Sequence, residues 1–379
     1  MKRVVKTAVA DAAAHDQTLA DPSFAHTVIA WQKQHGRHAL PWQNTRDAYR
    51  VWLSEIMLQQ TQVAAVIPYY QRFLDTFPTV EALAAASSEQ VMAHWSGLGY
   101  YSRARNLHRC AQLVVEQHGS RFPADPALLE ALPGIGRSTA AAISAFSYGT
   151  RAAILDGNVK RVFARVFGID GYPGEKAVEN AMWQRAVALL PDDGIEAYTQ
   201  GLMDLGATLC TRNRPDCARC PLAVRCVAYQ SHRTAELPVR KPKKAVPQRY
   251  AQMFVIVRDG AVLLEQRPPS GIWGGLLSLP ERALDDPATD MQDPAELAAV
   301  YGPVSACARL ADFTHVFTHF RLQVAPWRVD LQASGAVVQP GVAQSSQVWY
   351  PVHELADAPL PAPVKKMLLT LFATRDLLS

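Results

Sequence analysis

The sequence predicts an all-α domain followed by a smaller α+β domain, and three observations predict it. Apolar residues recur at three- and four-residue spacing from residue 23 to about 230. A charged stretch with three prolines and no periodicity comes next, "SHRTAELPVRKPKKAVPQ" (231–248). Beyond it the texture becomes strand-like, beginning with two apolar runs joined by Asp259-Gly260. With 379 residues the chain has room for two or three domains, and 49% hydrophobic with 19% charged residues is the composition of a soluble globular protein. Lys6 and Asp11 interrupt the N-terminus as a signal-peptide core. No uncharged apolar run reaches the ~18 residues that span a bilayer. A cytoplasmic protein is expected.

The elements follow in order. Residues 1–22 read as a tail, and 23–230 as one helical domain. Its helices lie in "AHTVIAWQKQH", "YRVWLSEIMLQQTQVAAVIPYYQRFL", "STAAAISAFSYG" and "AYTQGLMDLGATLC". Gly and Pro punctuate them in "FPTV", "GLGYY", "LPGIG" and "GYPGE". Residues 231–248 are a basic linker. In 249–379, "YAQMFVIVRDGAVLLEQRP" is a hairpin, "HFRLQVAPWRVDL" and "SQVWYPV" are further strands, and "APVKKMLLTLFATRDLL" is a closing amphipathic helix.

Four of the six cysteines crowd into "CTRNRPDCARCPLAVRC", spaced Cys210-x6-Cys217-x2-Cys220-x5-Cys226. In a reducing compartment such a cluster holds metal rather than disulfides. One C-x2-C flanked by single cysteines winds a compact loop around one centre, and four thiolates suit either Zn²⁺ or an iron–sulfur cluster. Cys110 and Cys307 lie apart and read as packing residues. The net charge of +4 is too small to imply nucleic acid by itself, but Arg212, Arg214, Arg219 and Arg225 sit among the ligands and "RKPKK" follows at 240–244.

"LPGIGRSTA" (132–140) sets Gly134 and Gly136 before a helix start, where amide N–H groups can meet an anion; an ordinary helix connection reads the same way. Asp156 in "LDGNVKRV" is by itself a cap or turn former. Glu55 has Val51, Trp52, Leu58 and Gln59 as its helical neighbours. It is either a glutamate at the edge of an apolar face or a carboxyl whose pKa apolar surroundings raise towards neutrality, as a general acid requires.

These stretches together resemble the endonuclease III superfamily of helix-hairpin-helix DNA glycosylases. With "LPWQ", "WLSEIMLQQTQV" and "GLGYYSRARNLH" they resemble its adenine DNA glycosylase (MutY) branch, from about residue 23 to the C-terminus. The resemblance implies one [4Fe-4S] cluster on Cys210, Cys217, Cys220 and Cys226, structural in role, presenting the arginines of its loop to phosphates. It implies that a monomer acts on double-stranded DNA at the bacterial nucleoid, removing adenine mispaired with 8-oxoguanine or guanine. Catalysis falls to Glu55 as the acid, and to Asp156 with Asn158 at the oxocarbenium-like sugar. Trp42 and Gln200 would line the adenine pocket, and Gln60 and Tyr100 would wedge into the duplex. Composition alone would put Tyr100 in the core. Gln59, Thr61, Gly134, Gly136 and Ser138 complete the expected DNA contacts. Bifunctional members carry lysine where this chain has Ser138; serine cannot form a Schiff base, so water is the expected net nucleophile.

"QRPPSGIWGGLLSLPE" (266–281) resembles the start of a Nudix fold. Gly275 and Glu281 have the opening spacing, but residues 289–294, TDMQDP, replace the metal-binding glutamates, so pyrophosphate hydrolysis is not expected. What the resemblance leaves is a reader of 8-oxoguanine, with Phe317, Thr318 and His319 as its lesion-contacting loop. Family members often have Ser where this chain has Thr318. Two alternatives stand beside this reading. An endonuclease III-like glycosylase and lyase for damaged pyrimidines is opposed by Ser138 and the C-terminal domain. A non-catalytic iron–sulfur DNA-binding protein would not need both Glu55 and Asp156.

Overall fold

Short polar side chains fix where several of the helices begin. In the computed structural model, Asp21 accepts from the Phe24 N–H at 3.3 Å, Asp47 from Tyr49 at 2.9 Å, Asp125 from Ala127 at 2.8 Å and Asp156 from Val159 at 2.8 Å. Each answers one of the donors that a helix start leaves open. The structure describes residues 19–241, 246–268, 271–286, 288, 290–317, 319–333 and 346–373. In chain order the helices are α1 Pro22–His35, α2 Ala48–Leu58, α3 Val63–Thr76, α4 Val80–Ala85, α5 Ser88–Trp95, α6 Ser102–His118 and α7 Pro126–Glu130. There follow α8 Arg137–Tyr148, α9 Gly157–Val166, α10 Lys176–Ala188, α11 Ile195–Asp204 and α12 Val227–Gln230. The C-terminal part adds α13 Pro294–Ala298 and α14 Ala362–Ala373.

The chain forms two compact units, and they do not follow its linear division. Residues 1–85 and 106–243 make one; residues 86–105 and 244–379 make the other. The boundary therefore falls inside α6, and Tyr100 belongs to the second unit. The stretch read as a linker also begins as structure. Leu237 is 1% exposed in the helical core, and its carbonyl accepts from Arg165 Nε at 2.8 Å.

In the first unit, α1 packs on α11 and α2 on α8. Phe24, Phe163 and Tyr198 meet edge to face at its centre, with Val159, Val162, Leu202 and Leu205 around them. After α11 the backbone widens to a π-turn, Leu205–Leu209, closed by Cys210 N–H to the Leu205 carbonyl. Such bulges are frequent at functional sites, and this one delivers Cys210.

The second unit is built on a mixed sheet of β1 Gln248–Arg258, β2 Ala261–Gln266, β3 Leu277–Ser278, β4 Glu281–Leu284, β5 Val304–Arg309, β6 Phe313–Val316, β7 Arg321–Leu331 and β8 Gln347–Pro351. Its spine runs β3-β2-β1-β7-β5, with β4 on β1, β6 on β7 and β8 on β2. β1 and β7 run parallel in the middle, where the apolar run Met253–Val257 is buried throughout, as a strand covered on both faces requires. Asp259 and Gly260 both take left-handed φ, 48° and 74°, in the two-residue turn the sequence marks. Pro294 opens α13, capped by Asp293, so no helix runs through TDMQDP from residue 290 onward. Cys307, read as a packing residue, is exposed on β5, an edge strand; Cys110 is buried as expected.

Candidate active site and cysteine loop

Seven of the eleven residues of α2 are buried, most of them apolar, and Glu55 is not among them. Glu55 instead faces a cavity of about 1110 Å³ in the first unit, lined also by Val51, Leu58 and Gln59. Trp52 points away into the core, against Phe122. Across the cavity stand Asp156 and Asn158 from the start of α9, Ser138 and Thr139 from α8, Gln200 from α11, and Trp42. Burial is the larger influence on Glu55 and the charge of Asp156 the second; together they raise its pKa from 4.5 to about 7. Asp156 is also raised by burial, but the Val159 and Asn158 amides, the Arg161 charge and the Asn158 side chain oppose the rise. The two carboxyls are thus differently equipped. Glu55 can hold and donate a proton near pH 7, while Asp156 is hydrogen-bonded in its charged form. Asp156 is also the cap its local sequence suggests, since the same side chain starts α9.

The other expected residues distribute as follows. Trp42 is 8% exposed and edge-on to Tyr70 at 5.4 Å. Gln59 reaches the Gly134 carbonyl at 3.4 Å and Thr139 Oγ1 at 3.5 Å, tying the end of α2 to the glycine turn. Gln60 and Thr61 line the cavity mouth, and Gln60 sits at a φ of 58°, a region glycine favours and glutamine rarely adopts. Gly134 has a φ of 80° with Asn106 against it, so a side chain there would be strained. Gly136 precedes α8 without any side-chain cap, leaving the first amides of that helix open to an anion. Ser138 Oγ accepts from the Leu155 N–H at 3.1 Å, one residue before Asp156. In the second unit Tyr100 is 44% exposed with a φ of 49°, out of the core where its composition would have put it. Phe317 stacks on Phe320 at 4.6 Å and meets His315 edge-on, and His319 is exposed. Thr318 lies outside the described residues.

Two arginines of α9 join this cavity to the cysteine loop, and sequence reasoning missed them. Arg161 gives Nε to the Cys210 carbonyl at 2.7 Å, and Nη2 to Asn158 Oδ1 at 2.8 Å and the Gly206 carbonyl at 2.6 Å. Arg165, 2% exposed, donates to the Thr211 carbonyl at 2.7 Å and lies 3.4 Å from Cys210 Sγ. Their spacing from Asn158, three and seven residues along one helix, was the available signal. Gly206 was missed as well. A Cβ there would stand 2.4 Å from Asn158 Cβ and 2.9 Å from its Cα, so the π-turn approaches α9 only through glycine.

The four cysteines line one small void of about 20 Å³. Among the described residues no group of three or more His, Cys, Asp or Glu is set as a site for a single metal ion. The donor set is all thiol, and burial together with the other cysteines pushes Cys220 up to about 11; Cys217 and Cys226 are raised for the same reasons. Four such thiols cannot ionise together without a positive centre between them, and a bound metal deprotonates its thiols outright. The residues therefore fit a metal centre held by four thiolates, a zinc ion or an iron–sulfur cluster. Members of the endonuclease III superfamily are generally iron–sulfur proteins. Arg212, Arg214 and Arg219 are exposed on this loop. Arg225 is not free: it pairs with Asp21 and lies over the Phe24 ring.

Residues 53–186 match the HhH-GPD superfamily of base excision DNA repair proteins, and 252–370 match the NUDIX domain. The chain is 33% identical over 345 residues to an adenine DNA glycosylase of Buchnera aphidicola, covering 91% of this chain and 97% of that one. It is 32% identical to the Homo sapiens adenine DNA glycosylase, covering 91% of this chain and 73% of that one. A solved thermostable thymine-DNA glycosylase aligns over 58% of this chain and 99% of its own, at a TM-score of 0.51 and 28% identity. The helical unit with its cavity, the Nudix-like sheet and these relatives agree: the chain belongs to the adenine DNA glycosylase family, DNA N-glycosylases of the HhH-GPD base excision repair superfamily.

Proposed function

We propose that this enzyme binds double-stranded DNA as a monomer, flips adenine out from opposite 8-oxoguanine or guanine, and hydrolyses its glycosidic bond without cutting the strand. The observation that carries the reading is the pairing of Glu55, raised to about 7, with Asp156 in one cavity. Adenine leaves poorly until a ring nitrogen is protonated, and Glu55 supplies that proton. The C1′–N bond breaks with its electrons going to the base. Asp156 stabilises the positive sugar, and water adds its oxygen to C1′ and gives up a proton. Trp42 packs the flipped base, Gln60 and Tyr100 fill the gap it leaves, and the Gly134–Ser138 turn holds a phosphate. Cys210, Cys217, Cys220 and Cys226 would hold one [4Fe-4S] cluster, which would supply a fixed anchor for the arginine-bearing loop. Phe317, Thr318 and His319 read the opposite base. No helix among the described residues is long and apolar enough to cross a membrane; the proposed place of action is the nucleoid in the bacterial cytoplasm.

Duplexes with A:8-oxoG, A:G, A:T or thymine glycol, incubated with and without alkali, test the reading. Adenine release from the first two, with strand scission only after alkali, is expected. Release of thymine glycol with spontaneous scission would overturn it.

A further inference from the structure

Asp204, at the end of α11, is completely buried and is engaged by three donors from two directions. Its Oδ2 accepts from the Arg37 backbone N–H at 2.8 Å, and its Oδ1 from Arg37 Nε at 2.6 Å and from Gln200 Nε2 at 2.8 Å. A buried carboxylate is tolerated when it is ion-paired and its lone pairs are filled, and this one is both. An ionised carboxylate has no hydrogen to give, so the half of the Gln200 amide turned towards it must be the NH₂. The carbonyl oxygen is the other branch of that amide, and Gln200 lines the cavity.

We propose that Asp204 is a positioning residue: it orients the Gln200 amide so that the base cavity presents a hydrogen-bond acceptor, matched to a base with an exocyclic amine. The inference rests on the adenine reading above and deepens it. Adenine offers an amine at that edge, hypoxanthine a carbonyl that would face the Gln200 carbonyl, and purine nothing. The same carboxylate also fixes a neighbouring stretch of the cavity lining. It holds the backbone at Arg37, and the loop from there to Trp42 is closed by Gln43, which donates to the Arg37 carbonyl and accepts from the Leu40 N–H, each at 3.0 Å.

The test is binding to uncleavable duplexes whose 2′-fluoroarabino nucleotide carries adenine, purine or hypoxanthine opposite 8-oxoguanine. The wild type should bind adenine about ten-fold or more tightly than either, the value of one good hydrogen bond. Asp204→Asn leaves the amide free to turn over, so the preference should fall to within about three-fold while general affinity falls less. Gln200→Leu should remove the preference directly, and adding Asp204→Asn to it should change the ratio no further, because one acts through the other. A purely structural role predicts weaker binding of all three bases in parallel, with the ratio kept. That result, or additive effects in the double variant, overturns the proposal. Arg37→Lys provides a variant that keeps a cation beside the carboxylate. It should retain the preference, and losing it while folded would equally overturn the inference. The adenine reading fails by a separate result, the absence of adenine release from any natural duplex by the wild type.

Discussion

In the proposed mechanism, Glu55 is where the chemistry and the stability of the fold pull against each other. A carboxyl with a folded pKa near 7 and an ordinary value of 4.5 binds extra protons in the folded state between those limits. Stability therefore falls as pH rises through that window, and the full penalty is present above 7. The penalty is on the order of 3 kcal/mol by linkage, an upper figure for a group that keeps some contact with cavity water. Glu55→Gln should consequently be more stable than wild type in urea unfolding at pH 8, by about 2–3 kcal/mol, with the gain vanishing towards pH 4.5. The same variant should release adenine ~10²–10⁴-fold more slowly in single turnover, since an amide has no proton to supply. Wild-type single-turnover rates should decline as pH rises through about 7, as the acid is lost. An unchanged rate in Glu55→Gln would remove the residue from the acid role. Glu55 was legible because its apolar neighbours are local in sequence. Asp204, Arg161 and Arg165 were not: beyond the local contacts of Asp204 with Gln200 and of Arg161 with Asn158, their partners are 45 to 167 residues distant, and a hydrogen bond over such a span leaves no periodic trace.

The elements that carry the site are held at a few close approaches, and these set the next predictions. The π-turn meets α9 at Gly206, and the obstruction there is Asn158 Cβ together with the Asn158 backbone, neither of which can swing aside. Gly206→Ala should therefore displace Asn158 and with it the Asp156 cap. A loss of about 1–3 kcal/mol of stability, the usual range for overpacking, should accompany slowed excision. Normal rates with wild-type stability would show that the turn accommodates a methyl. Ser138 ties α8 to the extended segment entering Asp156 and also lines the cavity. Ser138→Lys removes that tie and brings in an amine, so excision should slow while borohydride-trappable complex and alkali-independent scission rise above the wild-type level. Efficient trapping by the wild type would mean that another lysine does this work. The iron content is checked directly: about four irons and no stoichiometric zinc per chain are expected for a cluster on four thiolates, and one zinc would overturn it. Helix periodicity, the Asp-Gly hairpin and the cysteine spacing made most of these elements readable. The π-turn was not, because one extra residue in an apolar helix does not disturb its pattern.

At the scale of the molecule, the division into units changes what a truncation means. Proline content and charge mark 231–248 as a linker, yet Leu237 is core and its carbonyl serves Arg165, so the helical unit extends past 230. Composition could not show this, since a single buried leucine among charged residues leaves no signal. Nor could it show that residues 86–105 group with 244–379, because α5 and the start of α6 have the same helical texture as their neighbours. A chain ending at residue 243 should fold better than one ending at 230, with the higher melting temperature, because it keeps the Leu237 contact. It should still release adenine, since Glu55, Asp156, the glycine turn and the cysteines are retained. Residues 86–105 lose the unit they belong to, so Tyr100 should no longer be held at its strained φ, and binding to every mispair should weaken. On top of that general loss, the preference for A:8-oxoG over A:G should shrink if the proposed reading by the Phe317 loop holds, because a base-edge contact is worth ~1–3 kcal/mol of discrimination. Phe317→Ala in the full chain separates the two effects. It leaves residues 86–105 in place but opens the stack with Phe320 and His315, so it should erode the preference with little change at A:G. If the chain ending at 243 keeps the full preference in single-turnover assays, the sheet unit is not the lesion reader, and discrimination must come from the cavity wall and Gln60.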